Sequence, residues 1–389
     1  MFNLGVGSYK VKSYKVENCK VTMDNEQKRK IISLYIPKHL VKDGLRYSTL
    51  LYPFWGVWQK AESHIQTAMF SQYNFDQDYY SVVDDPNIAD YVFMPHNYWT
   101  LLRKHSGLID EYVKEAKKYN KPLLIDAIGD KMDIIDIPNS VVLRYAQYKN
   151  RLKENDVIVP VFTEDLLASY QDGKLTIRDK KEIPSVGFVG WSSLPFFTYP
   201  KTYIKDLPIL LLGFLTTHFD LYRNGVLLRK KALKILELSL KNIDTHFIYR
   251  KSFSGNIRTV EGDIDVLRKE FVRNILDSDY TLCVKGNANQ STRFFEVLNL
   301  GRIPLFVDTD IALPLDRIIA YKNFCVFVDY RDIKKASKIL VDFHSSISPE
   351  KFKDMQHKAR EAYDKYLRMD VYTKYLKEEL KKKIISIKS

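Results

Sequence analysis

Three cysteines, Cys19, Cys283 and Cys325, are spread over 389 residues. An odd number without close spacing supports neither a disulfide framework nor a zinc cluster and suits a reducing compartment. Long hydrophobic runs are also missing. The longest, Leu207 to Leu215, is interrupted by Pro208 and falls far short of a bilayer span, and Met1 to Ser13 has no apolar core of the signal-peptide kind. The expectation is a soluble, cytoplasmic chain without a membrane-spanning segment. Glycine and proline are sparse, at 15 and 14 residues, so a packed globular protein is expected and long disorder is not. No internal repeat and no sustained heptad stands out.

What is present is the material of an enzyme-sized globular protein. Hydrophobic residues make up 45% of the chain and aromatics 13%, and a chain of this length divides naturally into two domains with a cleft between them. The formal net charge of +13 concentrates anionic ligands near the surface. Charge alone admits nucleic acid, anionic lipid head groups and nucleotide diphosphates. No nucleic-acid recognition module is evident and the basic residues are spread along helices, so a nucleic-acid partner is not expected. Peripheral contact with an anionic membrane stays open.

The hydrophobic pattern alternates between strand and helix. Strands are predicted over Lys30–Ile36, Ala89–Pro95 and Pro122–Asp126, with helices over Glu62–Phe70 and Leu108–Tyr119. An aromatic loop, Leu50 to Trp58, holds Tyr52, Phe54, Trp55 and Trp58, which suit either a core or an acceptor platform. Ser169 to Pro184 is polar and charged without an apolar face, as expected of an exposed connection between domains. The alternation then restarts: strand Val186–Val189, helix Leu227–Ser239, strand Thr245–Tyr249, helix Ile264–Leu276 and strand Tyr280–Val284. After these come helix Ser291–Leu300, strands Ile303–Val307 and Phe324–Val328, and helix Ile333–Phe343. Pro349 to Lys383 has a charged helical pattern, which reads as a solvated surface helix. The resulting divisions are 1–180, 185–360 and a C-terminal helix at 361–389, with parallel α/β sheets in the first two.

Ligands of parallel sheets bind where strands lead into helix N-termini. Tyr280 to Leu300 has that form. A buried strand enters the small polar loop Lys285-Gly286-Asn287-Ala288-Asn289-Gln290, and Ser291 can cap the helix that follows. Free N–H groups there, with Lys285 and Arg293 near, would hold a diphosphate. Phe294, Val297, Leu298 and Gly301 share the core-facing period, leaving Arg293 and Glu296 side by side at i, i+3. That spacing fits a cation for phosphate and a carboxylate for a ribose diol, and it equally fits an ordinary surface ion pair. Gly187 to Trp191 ends the first strand of the second domain; Gly190 would allow close approach of a ligand and Trp191 could stack on a sugar ring or pack between domains.

The run Tyr280 to Pro314 resembles the C-terminal signature of the exostosin-like glycosyltransferases. It carries Cys283 and Gly286 of a C-x-x-G loop, Ser291, Arg293, Phe294, Phe295 and Glu296 of an S-x-R-[FL]-[FY]-E helix, Gly301, Ile303 and Pro304 of a G-x-I-P turn, and the later Leu313-Pro314. Ala89 to Pro95 is similar to the family's A-D-[LY]-[FV]-[FV]-V-P. Arg302 departs from the pattern, standing where the family usually has Cys.

The resemblance implies a GT-B fold, two Rossmann-like domains facing across a cleft, with the C-terminal helix able to cross back to the first domain. It also implies inverting transfer from a nucleotide-sugar, a UDP-sugar first, to a glycan or polysaccharide acceptor. Glu296 would then bind the donor ribose while Arg293, Ser291 and Lys285 meet the diphosphate, with Gly286, Asn287, Arg250, Lys251, Arg258, Gly190 and Trp191 as further donor contacts. A general base from the N-terminal domain is needed, and Asp130, His96 and Asp126 are the candidates. Asp308-Thr309-Asp310 spells D-x-D but sits in a family loop position, so no metal and no cofactor is expected. The alternatives are a transferase-like binding protein without activity and a basic nucleic-acid-binding protein.

Overall fold

A computed structural model of the chain describes residues 31–51, 72–73, 80–193, 200–215, 221–239, 241–251 and 262–388. The aromatic cluster Tyr52, Phe54, Trp55 and Trp58, the helix expected over Glu62–Phe70, Arg258 and the first thirteen residues lie outside the described residues.

Two parallel sheets organise the molecule. The first runs in the order β2-β1-β3-β4-β5-β6, with β1 at Ile32–Tyr35, β2 at Tyr80–Val83, β3 at Tyr91–Met94, β4 at Leu123–Asp126, β5 at Ser140–Arg144 and β6 at Asp156–Ile158. Its central strands are apolar without alternation because both faces are covered: all four residues of β3 are buried. Helices α1 (Tyr98–Lys104) and α2 (Gly107–Lys118) cover one face. They pack Leu101, Ile109, Tyr112 and Ala116 onto Val92, Met94 and Ile125.

The second sheet runs β11-β10-β9-β7-β8. Its strands are β7 at Ser185–Trp191, β8 at Asp244–Arg250, β9 at Tyr280–Cys283, β10 at Ile303–Asp308 and β11 at Val326–Asp329. The helices are α3 (Leu166–Tyr170) before β7, α4 (Pro200–Leu215) and α5 (Gly225–Glu237) between β7 and β8, α6 (Ile264–Leu276) before β9, and α7 (Thr292–Asn299) between β9 and β10. After β11 come α8 (Ala336–Ser346), α9 (Pro349–Ala362) and α10 (Met369–Lys388). Two Rossmann-like parallel sheets of six and five strands are the GT-B architecture expected from the sequence.

The tail differs from the solvated helix its charge pattern suggests. α9 packs Phe352, Met355 and Ala359 into the core of the second sheet. A π-helical turn at Tyr363–Leu367 then redirects the chain, and α10 lays Met369, Tyr372, Leu376 and Leu380 into the core of the first sheet. Tyr91 donates its hydroxyl hydrogen to the Leu380 carbonyl (2.7 Å) and Tyr372 to that of Ile158 (3.0 Å), which fixes the crossover. The charges that made the tail look solvated occupy the outer face of an otherwise apolar stripe.

The connection between the sheets is tethered rather than loose. Arg178 pairs with buried Asp279 (3.1 Å), Gln356 bonds the Arg178 backbone on both sides, and His344 meets the Lys181 carbonyl. Arg302 is buried here and donates to the carbonyls of Leu276, Thr176 and Gly301. The Arg302 side chain thus anchors the connection to the end of α6. Burial lowers its guanidinium to about 10, with neighbouring Arg178 adding to the shift.

Candidate active site

The carboxyl ends of the two sheets face each other. The loop after β5 meets the loop after β10: Lys149 N–H donates to the Asp310 carbonyl (2.8 Å), Ala312 N–H to that of Gln147 (3.0 Å), and Lys149 pairs with Asp308 at 3.4 Å. The loop after β4 meets the loop after β9. The Met132 Sδ accepts the Asn289 N–H at 3.0 Å, and the Asp130 carboxylate accepts a hydrogen bond from the Asn287 side chain.

Within the second sheet, β7 and β9 are neighbours, yet the chain leaves β7 toward β8 and leaves β9 toward β10. The strand order reverses between them, and a reversal of this kind opens a crevice at the carboxyl edge. Its walls approach closely. A Cβ on Gly225, the first residue of α5, would lie 1.9 Å from the Gly286 carbonyl oxygen, so only glycine fits there. Asn224 caps α5 by accepting the Val226 N–H (2.9 Å), which fixes the helix start against the loop. Gly190 has φ +155°, and a Cβ on it would come within 2.8 Å of Arg293.

Three cations line this crevice, and each is held by neutral groups. Arg293 donates to the Val189 carbonyl (2.6 Å) and lies 4.3 Å over the Phe188 ring. Arg229, from α5, donates to the Trp191 carbonyl (2.6 Å). Lys285 donates to the Leu221 carbonyl (2.6 Å) and to the Tyr148 hydroxyl (3.3 Å), which reaches over from the first sheet. None of the three has a carboxylate within ion-pair distance among the described residues, and the buried Nε atoms of Arg229 and Arg293 have no hydrogen-bond partner. Burial works against each of the three charges. Burial lowers Arg229 to about 9, with Arg293 adding repulsion. Burial likewise lowers Arg293 and brings Lys285 to about 8. An anion in the crevice would relieve all three.

The other expected donor residues divide. Ser291 occupies the N-cap position of α7 with extended backbone but its side chain makes no cap hydrogen bond, so the expected capping role is not seen. Gly286 and Asn287 line the crevice loop, and Gly286 N–H donates to the Gln290 carbonyl. Trp191 packs on Val226 and Leu227 at the start of α5. Arg250 is engaged by Glu270 (2.6 Å) and the Leu267 carbonyl, and Lys251 is exposed.

Glu296 is buried on a helix whose residues 294–299 are all buried, rather than standing beside Arg293 on an open flank. It accepts from Arg268 (2.7 Å), which also donates to Glu164 (3.0 Å). Burial works against the Arg268 charge, but the Glu296 and Glu164 carboxylates outweigh it and hold it protonated. One Nη of Arg268 is buried without a hydrogen-bond partner among the described residues. Neither Arg229 nor Arg268 was singled out from the sequence. Each lies on a helix whose place beside the crevice follows only from the strand order.

The three candidate bases also separate. His96 is buried; one ring nitrogen accepts the Lys42 N–H (3.0 Å) and the other meets the Arg46 carbonyl (3.0 Å), so both are committed to backbone. Asp126 is buried and accepts the Ile128 N–H (2.9 Å) together with the Asn97 side chain. Asp130 faces the crevice loop at Asn287 and keeps an open side to solvent, and burial of its remaining surroundings raises its carboxyl, against the opposing pull of Asn287. In the D-x-D run, Asp308 is bound by Lys149 and the Ile311 N–H, while Thr309 is buried and donates to Asn289.

Residues 235–343 match the family model described as Exostosin GT47 domain. A curated relative, the Exostosin-1 homolog of Caenorhabditis elegans, is 29% identical over 101 residues, which is 26% of this chain and 25% of that protein. The match therefore spans about a quarter of the relative's length. The family-model match over residues 235–343 takes in α6, β9, α7 and β10, with Arg268 on α6, Arg293 and Glu296 on α7, and Lys285 in the loop after β9.

Proposed function

We propose that this chain, which resembles the exostosin-like glycosyltransferases over residues 235–343, moves a sugar from a UDP-sugar to a hydroxyl of a glycan or polysaccharide acceptor with inversion. The observation that carries the reading is the convergence of Arg293, Arg229 and Lys285 on the β7–β9 crevice with no carboxylate in ion-pair distance among the described residues. Burying cations unpaired is costly, and a diphosphate offsets that cost. As the bond to the sugar breaks, charge grows on the departing diphosphate, so the same groups would favour the transition state over the ground state. The leaving group's charge is met in this proposal by side chains, and no bound metal takes part.

Glu296 would serve the donor through its end of the Glu164–Arg268–Glu296 chain, accepting from a ribose hydroxyl. Asp130 is the proposed base. It is the candidate with an open side, it stands on the loop after β4 opposite the donor loop, and a raised carboxyl pKa suits proton abstraction. Asp126 would then hold the backbone at Ile128, and His96 that at Lys42 and Arg46.

The test is a screen of nucleotides and nucleotide-sugars by calorimetry, followed by turnover with glycan acceptors, using wild type and Arg293→Ala. Binding of UDP that is lost in the variant, with transfer unaffected by EDTA, supports the proposal. Failure of every nucleotide to bind refutes it, and UDP binding without transfer to any acceptor favours the alternative of an inactive binding protein.

A further inference from the structure

Helix α4 presents to solvent the face that most helices bury. Ile204, Leu207, Leu211 and Leu212 stand at i, i+3, i+7 and i+8, the period of a single helix stripe, and are 65%, 50%, 58% and 39% exposed. The ionic residues beside this stripe are Lys201 and Lys205, both exposed. The acidic residue of the helix, Asp206, points the other way: it is buried and accepts the Asn224 N–H at 2.8 Å. An apolar stripe flanked by cations, with its carboxylate turned inward, has the chemistry of a helix that lies in a lipid headgroup layer.

We infer that α4 docks this protein on an anionic membrane surface, inserting its leucine and isoleucine side chains between acyl chains while Lys201 and Lys205 meet lipid phosphates. The sign of the whole chain agrees, at +13, and a basic surface near a leaflet is drawn to it. The helix lies on the membrane rather than crossing it. Its 16 residues extend only roughly 24 Å against about 30 Å of hydrocarbon, and among the described residues no helix is long and apolar enough to span.

The inner face of α4 is tied to the crevice. Asp206 holds Asn224, Asn224 caps α5, and the first residue of α5 touches Gly286. Docking through α4 therefore sets the crevice near the headgroup plane, within reach of an acceptor anchored in lipid. The docking inference rests on α4 and the chain's positive charge, and stands whether or not a nucleotide binds.

The experiment is vesicle flotation of the full chain with phosphatidylcholine vesicles and with phosphatidylcholine–phosphatidylglycerol vesicles, alongside sedimentation velocity and thermal melts. Wild type is expected to float with the anionic vesicles and far less with the neutral ones. Ile204→Asp with Leu211→Asp should reduce flotation at least about tenfold with an unchanged melt, because both side chains are already exposed. Lys201→Glu with Lys205→Glu should abolish the preference for phosphatidylglycerol. Arg293→Ala, which bears on the nucleotide proposal, should float like wild type. Wild type remaining at the bottom with both vesicles overturns the inference. So does flotation of the aspartate variant equal to wild type, or a wild-type dimer in solution that this variant dissociates, which would assign the stripe to a second copy of the chain.

Discussion

Gly225→Ala offers a test of the crevice that changes no charge and removes no hydrogen-bonding group. At the first turn of a helix, alanine ordinarily stabilises, by about 0.4–1 kcal/mol, because it restricts the unfolded chain. Here its Cβ would sit 1.9 Å from the Gly286 carbonyl oxygen and 2.6 Å from that of Lys285. Both obstacles are backbone, so relief requires the start of α5 and the Lys285–Asn287 loop to part by more than an ångström. Overpacking of this kind costs about 1–3 kcal/mol, enough to reverse the sign of the helix effect. The larger consequence is for function, since a displacement near 1 Å at a positioning element costs on the order of 100-fold in rate. Denaturant unfolding should show lower stability, and kcat/KM with a UDP-sugar should fall by about two orders of magnitude. A variant more stable than wild type with unchanged UDP affinity would show that the loop and α5 do not form a rigid wall.

Three further outcomes follow from the same geometry. Lys285 has its pKa lowered to about 8 by burial, so between that value and its ordinary one the free folded protein binds fewer protons than the unfolded chain; a bound diphosphate raises the pKa again. UDP affinity should weaken as pH rises through about 8 and binding should take up protons, measured by calorimetry in buffers of different ionisation enthalpy; pH-independent affinity from 7 to about 9 would contradict this. Arg268→Met strands two buried carboxylates and should destabilise by about 3–5 kcal/mol in denaturant unfolding, whereas a loss below ~1 kcal/mol would mean the pairs are solvated. Asp130→Asn should lower kcat by about 100-fold or more while leaving UDP affinity intact, and an unchanged kcat would remove Asp130 from the reaction.

The sequence made the second sheet easier to read than the first, for physical reasons. Helix Ile264–Leu276 is found at its expected bounds because an Asp263 cap and a clean apolar period mark it. Strands Ser140–Arg144 and Asp156–Ile158 were missed because each carries a charge in a buried position. Arg144 and Asp156 neutralise one another at 2.7 Å, a pairing that only the adjacency of β5 and β6 reveals. In α10 the apolar positions are periodic, but which sheet they cover is not local information. The motif on α7 drew attention to Arg293 and Glu296 together; the fold sends the first to the end of β7 and the second to Arg268, a separation fixed by tertiary packing. Arg229 carries no local signal at all beyond its charge.

The central claim is that a diphosphate occupies the crevice between β7 and β9. A crystal structure of the protein with UDP tests it most directly. The expected density places the diphosphate within hydrogen-bond reach of Arg293, Arg229 and Lys285, with at least one of their carbonyl bonds given up to it. UDP bound elsewhere, with Arg293 still on Val189 and Arg229 still on Trp191, would contradict the account.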